Sequence, residues 1–448
     1  MDKKKIIFFS VTFILSTFFL IENLNFLYNQ KSIIFSNFGA NSAVADSYQY
    51  FHNFKQINLI DIFINYFLNF NDNYNHYQGA RFYPDNNNNV NYYLSLVGGN
   101  IFVLYIFNFI FYLYFILQFS NFFKKKILTI YLIFSFLNII ILGSLSLPNK
   151  EILCFFSFNS LLLYYLKKEY KFLFIAIFFS IFSRNELSFL ILIIFFINSD
   201  YFLKFNIYFI KKSKFFFTVF IYSILVFFLF LTYKTIGISF FANFVGDFSN
   251  HVNPVLNSHL LNFKFFLFYL LHIFLINFFL KFFLIKITED IFCKIVYLSF
   301  FVIALSSILP NYYWFYSSKN DVISMQTSNS LGVTLFLFNA CMNGFFFLIY
   351  PFKFFLTLFG GAFQKINLSS YETIFAYFSQ ILFFILCILI FLKKSFIKNM
   401  NLFFAVFFIL LIFTLPSYST HRYVWFVYQY FVFIYCYSLK EEEIKTAI

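Results

Sequence analysis

The sequence predicts an all-α fold: a polytopic integral membrane bundle of roughly 12 crossings, with a re-entrant hairpin where one stretch fails to count. Three observations predict it. Of 448 residues, 61% are hydrophobic and 11% charged, and the mean hydropathy is +0.78. A soluble domain of that composition could not cover its surface with polar groups. Apolar runs of about 20 residues recur along the whole chain, the length a helix needs to cross hydrocarbon. Short lysine-rich segments separate them, which accounts for the net charge of +14 through topology and excludes a nucleic-acid footprint.

The 86 Phe residues, set against 11 Gly and 6 Pro, are the composition of an AT-rich genome in positions where hydrocarbon tolerates any large apolar side chain. Five cysteines, at 154, 293, 341, 387 and 436, show no paired spacing and read as small buried hydrophobes. Domain organisation is a single multi-spanning unit over 1–448 with no internal repeat.

Lys3 to Lys5 fix the amino terminus on the cytoplasmic side, and the first span runs over 6–22. No small-residue cleavage site follows, so the span is expected to stay attached. A large outer loop, 23–95, holds Asp46 and the Asn86 to Asn89 run, and within it 57–70 has the pattern of an interfacial helix. The span over 98–119 returns to Lys124–Lys126, which supports the orientation. Spans over 127–145 and 152–166 flank Leu147-Pro-Asn-Lys-Glu151 on the outer side and end at Lys167–Lys171 inside. Two shorter apolar runs, 172–182 and 187–198, meet at Ser183-Arg-Asn-Glu186. A charged corner between half-length helices is expected to lie within the membrane, buried in protein or lining a wet cavity.

Spans over 215–233, 264–284 and 291–309 follow, with Asp247, His251 and His259 in an outer loop. The stretch 331–351 must either bend back near Asn343-Gly344 or cross twice to keep Lys393, Lys394 and Lys398 inside. Spans at 372–392, 402–415 and 423–438 complete the bundle, placing Pro416 to Arg422 outside and Lys440 inside.

Lys150, Glu151, Arg184, Glu186, His421 and Arg422 are therefore all expected on one face of one membrane. A charge beside hydrocarbon costs at least about 2.5 kcal/mol, so such residues face a partner, a cavity or a substrate. Each also has a plain structural role open to it. Lys150-Glu151 suits a helix start with a snorkelling lysine, and Arg184 can pair with Glu186. His421-Arg422 suits an interface anchor beside Tyr418, Tyr423 and Trp425, and Asp46 suits a solvated turn. Taken together they have a chemical logic. Arg184, Arg422 and Lys150 can clamp a phosphate or pyrophosphate, and Glu151, Glu186 and Asp46 are the candidates for deprotonating an acceptor hydroxyl. No P-loop, GxSxG, HExxH or clear carboxylate pair for a metal occurs, so neither a cofactor nor a metal is expected.

Pro148-Asn-Lys-Glu151, an inner basic loop, and Ser183-Arg-Asn-Glu186 between short helices resemble the Wzy-like polymerases of bacterial O-antigen and capsular polysaccharides. Tyr350-Pro-Phe-Lys-Phe354, Glu372 at the start of a long apolar run, and His421-Arg422-Tyr423 are similar to further features of that group. The resemblance covers 130–440 in order and spacing, and Pro351 lacks the tryptophan that often follows it in the family. It implies a multi-pass enzyme of the bacterial inner membrane, with both termini cytoplasmic. Such an enzyme moves glycan from an undecaprenyl-pyrophosphate carrier onto a second lipid-linked repeat unit. It further implies that Arg184, Lys150, His421, Arg422 and Tyr423 contact that polyprenyl-linked oligosaccharide. Membrane lipid, a flippase and a chain-length regulator are the partners it suggests.

A second reading is a GT-C-type glycosyltransferase using a polyprenyl-phosphate sugar. Its usual mark is an acid soon after the first span, and Asp46 comes more than twenty residues later. A third, a non-enzymatic flippase or transporter, expects charges at the bilayer midplane and inverted repeats, neither of which is visible. If Arg184 clamps phosphate, Arg184→Ala abolishes transfer in membranes while the protein still inserts. Arg184→Lys is also damaging, since a point charge does not replace a bidentate fork. Full transfer by Arg184→Ala would remove this residue from the site.

Overall fold

The computed structural model describes residues 3–29, 43–52, 54, 56, 89–183, 191, 194, 354, 355, 358, 359, 371–392, 406, 407, 409, 410 and 425–446. Among them the secondary structure is entirely helical. The expected interfacial helix at 57–70, the spans between 215 and 309, the hairpin at 331–351 and the loop histidines lie outside the described residues.

In chain order the helices are α1 (Lys3–Asn29), α2 (Ala43–His52), α3 (Asn89–Leu96), α4 (Ile101–Ser120), α5 (Lys125–Phe136), α6 (Ile139–Ser144), α7 (Lys150–Lys167), α8 (Tyr170–Ser183), α9 (Tyr371–Leu392) and α10 (Tyr428–Thr446), with a 3₁₀ turn at Trp425–Val427 before α10. Among the described residues two stretches, Lys3–Tyr28 and Ile101–Ser120, are long and apolar enough to cross a bilayer. At 1.5 Å per residue, 20 residues span about 30 Å.

Helix α1 turns the usual amphipathic pattern inside out. Ile6, Ile7, Phe13, Ile14 (69% exposed), Phe18 and Ile21 face outward, whereas Thr12, Ser16 and Asn23 are buried. Helix α4 does the same, with Phe102, Ile106 and Ile110 outside and Asn108 fully buried. Water would select the opposite arrangement, and hydrocarbon selects this one. Ser16 Oγ and Tyr105 OH lie 2.8 Å apart, joining α1 to α4 through the polar face that each turns inward.

The axis of the bundle is α7, buried from Ile152 through Leu163. It packs against α4, α6, α8, α10 and the 3₁₀ turn. Helix α8 returns antiparallel to it after a two-residue link, with Lys168 in the left-handed conformation (φ 59°) as the α7 cap. Ser157 Oγ donates to Ala176 O at 2.7 Å and sets the register of that hairpin.

Side-chain pairings fix the sense of each helix. Lys5 Nζ reaches Asn121 Oδ1 at 2.8 Å and Lys167 Nζ donates to Gln118 Oε1, so the start of α1 and the ends of α4 and α7 share one end. Phe433 of α10 lies against Phe119, Phe122 and Phe123 near that same end. Lys3–Lys5, Lys124–Lys126, Lys167, Lys168, Lys171 and Lys440 thus fall at one end, hereafter the lysine end. There a hydrogen bond from exposed Lys171 holds the Glu169 carboxyl below its ordinary range.

The expected continuous span over 127–145 is broken. Asn138, at φ −76° and ψ 62°, forms an inverse γ-turn that separates α5 from α6, with Ile139 N donating to Leu137 O at 2.9 Å. Asn138 N bonds Ser135 O instead of continuing the helical ladder, which releases the Phe134 carbonyl. Tyr428 OH donates to that carbonyl at 3.1 Å, and Tyr112 OH donates to Ser135 O at 3.1 Å. The freed backbone carbonyls of the break are thus met by neighbouring helices, the condition under which a membrane helix tolerates one, while Asn138 Nδ2 stays buried without a partner.

Trp425 Nε1 donates to Asn138 Oδ1 at 2.6 Å, both groups buried. Gln429 Nε2, one turn on, donates to Tyr131 OH and Ser135 Oγ at 2.7 and 2.8 Å. Replacing Asn138 by Leu strands the buried indole N–H, at a cost of about 1–3 kcal/mol. Thermal unfolding in detergent should show that loss, and adding Trp425→Phe should recover most of it. Additive losses in the double variant would mean that the two side chains are not coupled.

Candidate functional site

At the end of the bundle opposite the lysines, the chain turns from α6 to α7 through Leu145, Ser146, Leu147, Pro148 and Asn149, all buried. Asn149 caps α7 in the extended conformation, its Oδ1 accepting from Ile152 N at 3.0 Å. That role assigns the amide oxygen inward and leaves Nδ2, on a residue only 1% exposed, without a hydrogen-bond partner.

The cap places Lys150 and Glu151 in the first turn of α7, both half-buried. Glu151 complements the positive end of the helix dipole, whereas Lys150 opposes it. The ammonium of Lys150 instead lies 5.9 Å from the centre of the Tyr50 ring, an attraction of about 0.5–1 kcal/mol at such a site. Tyr50 belongs to α2, and position 46 of that helix lies one turn earlier on the same face. The sequence-predicted Lys150, Glu151 and Asp46 therefore sit on elements that meet at one corner.

Helix α1 brings its far end to the same corner. Asn23 Nδ2 donates to Gly143 O at 2.8 Å and to Ser146 Oγ at 2.6 Å, while its Oδ1 is buried and unpartnered. One turn before, the Phe19 ring lies against Gly143. One turn after, Phe26 meets the Tyr48 ring of α2 at 5.7 Å, and His52 Nε2 lies 2.8 Å from Leu27 O. Glu22 lies on the stripe between Phe19 and Phe26, bounded by α6 on one side and α2 on the other. It is 6% exposed, a carboxylate held at the corner by a helix that is otherwise uncharged from Ile6 to Asn29.

A third approach comes from α8. Tyr93 OH donates to Asn108 Oδ1, Asn108 Nδ2 donates to Leu145 O at 2.8 Å, and the Phe182 ring lies 6.2 Å from that of Tyr93. From the Ser157–Ala176 bond, about two helical turns lead back to Lys150 on α7 and forward to Ser183 on α8. The end of α8 thus comes level with the start of α7. Arg184 and Glu186, which follow it, lie outside the described residues, as do His421, Arg422 and Tyr423, which precede Trp425.

Sequence reasoning missed Glu22, Asn23 and Asn149. The signal for the first two was a charged residue and an amide at the end of an apolar run, read there as the membrane edge. Helix α1 continues to Asn29, which puts both inside the bundle. Among the described residues no group of three or more His, Cys, Asp or Glu side chains is placed to hold a metal ion.

No family model matches the chain, and no curated protein or solved structure matches it either.

If the cap is what Asn149 contributes to stability, Asn149→Ala lowers it by about 1 kcal/mol. Asn149→Ser, which keeps a capping oxygen and drops the unpartnered donor, leaves it unchanged or higher. Thermal unfolding in detergent reads both, and equal losses would assign the contribution to something other than the cap.

Proposed function

We propose that this chain is a bacterial surface-polysaccharide repeat-unit polymerase of the inner membrane. It transfers glycan from an undecaprenyl-pyrophosphate carrier onto a lipid-linked acceptor at the outer face. The observation that carries this reading is the placement of Lys150 and Glu151 in the first turn of a capped helix, at the end of the bundle away from the lysines. The positive-inside rule assigns the lysine end to the cytoplasm and this corner to the outer face. The crossing number of about a dozen, with both termini cytoplasmic, belongs to the same proposal.

Transfer from a lipid-linked pyrophosphate needs cations for the leaving group and a carboxylate for the acceptor hydroxyl. Lys150 supplies a cation at the corner, and α8, whose end lies level with the start of α7, is the helix that precedes Arg184 in the sequence. Arg184 and Arg422 complete the clamp in this reading. His421 and Tyr423 contact the sugar, and Glu186, Glu151 and Asp46 remain the candidate bases.

A second reading, a GT-C-type transferase that adds one sugar from a polyprenyl-phosphate donor, is favoured by one observation. The helix bearing Asp46 packs against α1 and presents Tyr50 to Lys150, so the segment after the first span contributes to the corner.

Gel electrophoresis of surface polysaccharide from cells lacking the gene, and from cells complemented with wild type or Lys150→Met, separates the two. A polymerase gives collapse of the ladder to a single repeat unit, restored by wild type and not by the variant. A ladder that keeps its rungs but shifts by one sugar per unit supports the single-sugar transferase. An unchanged ladder overturns both.

A further inference from the structure

We propose that Tyr50 is a positioning residue of this corner: its ring face holds the Lys150 ammonium where the pyrophosphate of the lipid carrier binds. This deepens the transferase reading and rests on it. The ammonium lies 5.9 Å from the centre of the ring, within cation–π range, and both side chains are half-buried. Lysine carries its charge on a flexible stem, so a definite position for that charge has to be imposed by a neighbour. A carboxylate would impose it by neutralising the charge, and would then compete with an incoming phosphate. A ring face attracts the ammonium through its quadrupole and leaves the full positive charge for the ligand.

Both partners are carried by fixed backbone. Lys150 follows Asn149, which is buried and caps α7 through Ile152 N at 3.0 Å. Tyr50 lies among residues that are themselves anchored. Tyr48 and Phe51 set their rings against Phe26 and Tyr28 of α1, at 5.7 and 5.2 Å between centres. His52 Nε2 lies 2.8 Å from Leu27 O. Just beyond α2, the Phe54 ring packs on Gly99 so closely that a Cβ there would clash with it. Gln56 Nε2 donates to Ser95 O at 3.0 Å.

Tyr50 is therefore presented by a segment tied to α1 on one side and to the α3–α4 turn on the other. Its ring marks a fixed place for the charge at the start of α7. The segment after the first span thus sets where the carrier phosphate sits, acting through Lys150.

The test is binding of undecaprenyl pyrophosphate to the full chain in detergent, with Tyr50 replaced by phenylalanine and by phenylalanines carrying increasing numbers of ring fluorines. Fluorine withdraws charge from the ring face at nearly constant shape, so a ring that only packs predicts one affinity throughout the series. A ring that holds the ammonium predicts affinity falling stepwise from Tyr50→Phe, by about 2–5-fold across the series. It also predicts weaker binding that no longer depends on fluorine in the Lys150→Met background. Should the fluorinated chains fail to fold, Tyr50→Phe against Tyr50→Leu makes the same comparison, and equal affinities overturn the role. Wild type that binds the carrier, with a flat series, overturns Tyr50 alone, as does a fluorine dependence that persists in Lys150→Met. No binding by wild type overturns the carrier-based reading and this role together.

Discussion

Phenylalanine and isoleucine pack against lipid tails about as well as against one another, so burial alone gives little preference for one helix register over its neighbours. In this bundle the registers are set by hydrogen bonds from buried polar side chains to backbone carbonyls and to one another. Asn23 joins α1 to α6, Asn108 joins α4 to the α6–α7 turn, and Asn138 joins the α5–α6 break to Trp425. Ser157 joins α7 to α8. Each contributes only about 1 kcal/mol net, yet a slip of one residue strands several donors at once in a medium with no water to meet them. The apolar side chains then fill the space that these bonds define.

The break at Asn138 shows how one such bond governs a distant part of the chain. A γ-turn frees a carbonyl, and the Tyr428 hydroxyl closes the account nearly three hundred residues later in sequence. The indole of Trp425 closes the other side. The first turns of the last helix are thus locked to the middle of α5–α6, just two residues after Tyr423. Any role for the His421–Tyr423 segment depends on this lock, because it holds Trp425, two residues on in sequence, against Asn138. Phe383 of α9 packs against both Trp425 and Phe431, so a third helix braces the same point.

Much of this was legible in the sequence because apolar runs bounded by lysines need no tertiary information to be read. The expected runs 98–119, 152–166 and 172–182 correspond to Ile101–Ser120, Lys150–Lys167 and Tyr170–Ser183. The broken helix was not legible. No proline or glycine marks residue 138, and the groups that make the break tolerable come from α4 and α10. Glu22 was misplaced for a related reason. A charge ends an apolar run when only neighbours in sequence are considered, but α1 extends beyond it to Asn29 and buries it. Of the candidate corner, Pro148–Glu151 was legible in the sequence, while the buried amides Asn23 and Asn149 are visible only once the helices are assembled.

The two ends of the bundle carry different sets of polar groups. At the lysine end, Lys5, Lys167 and Lys171 each reach an oxygen within the protein: Asn121, Gln118 and Glu169. That end reads as an anchor, complete in itself. At the other end Asn23 Oδ1 and Asn149 Nδ2 are buried and unpartnered beside Glu22 and Lys150. A folded chain satisfies nearly all such groups, and those it leaves open mark a binding site or a strained one. Open groups also occur at Thr12, Asn138, Asn159, Ser379, Gln429 and Tyr430, so what distinguishes this corner is the buried carboxylate and the half-buried cation at the neighbouring positions Glu22 and Lys150.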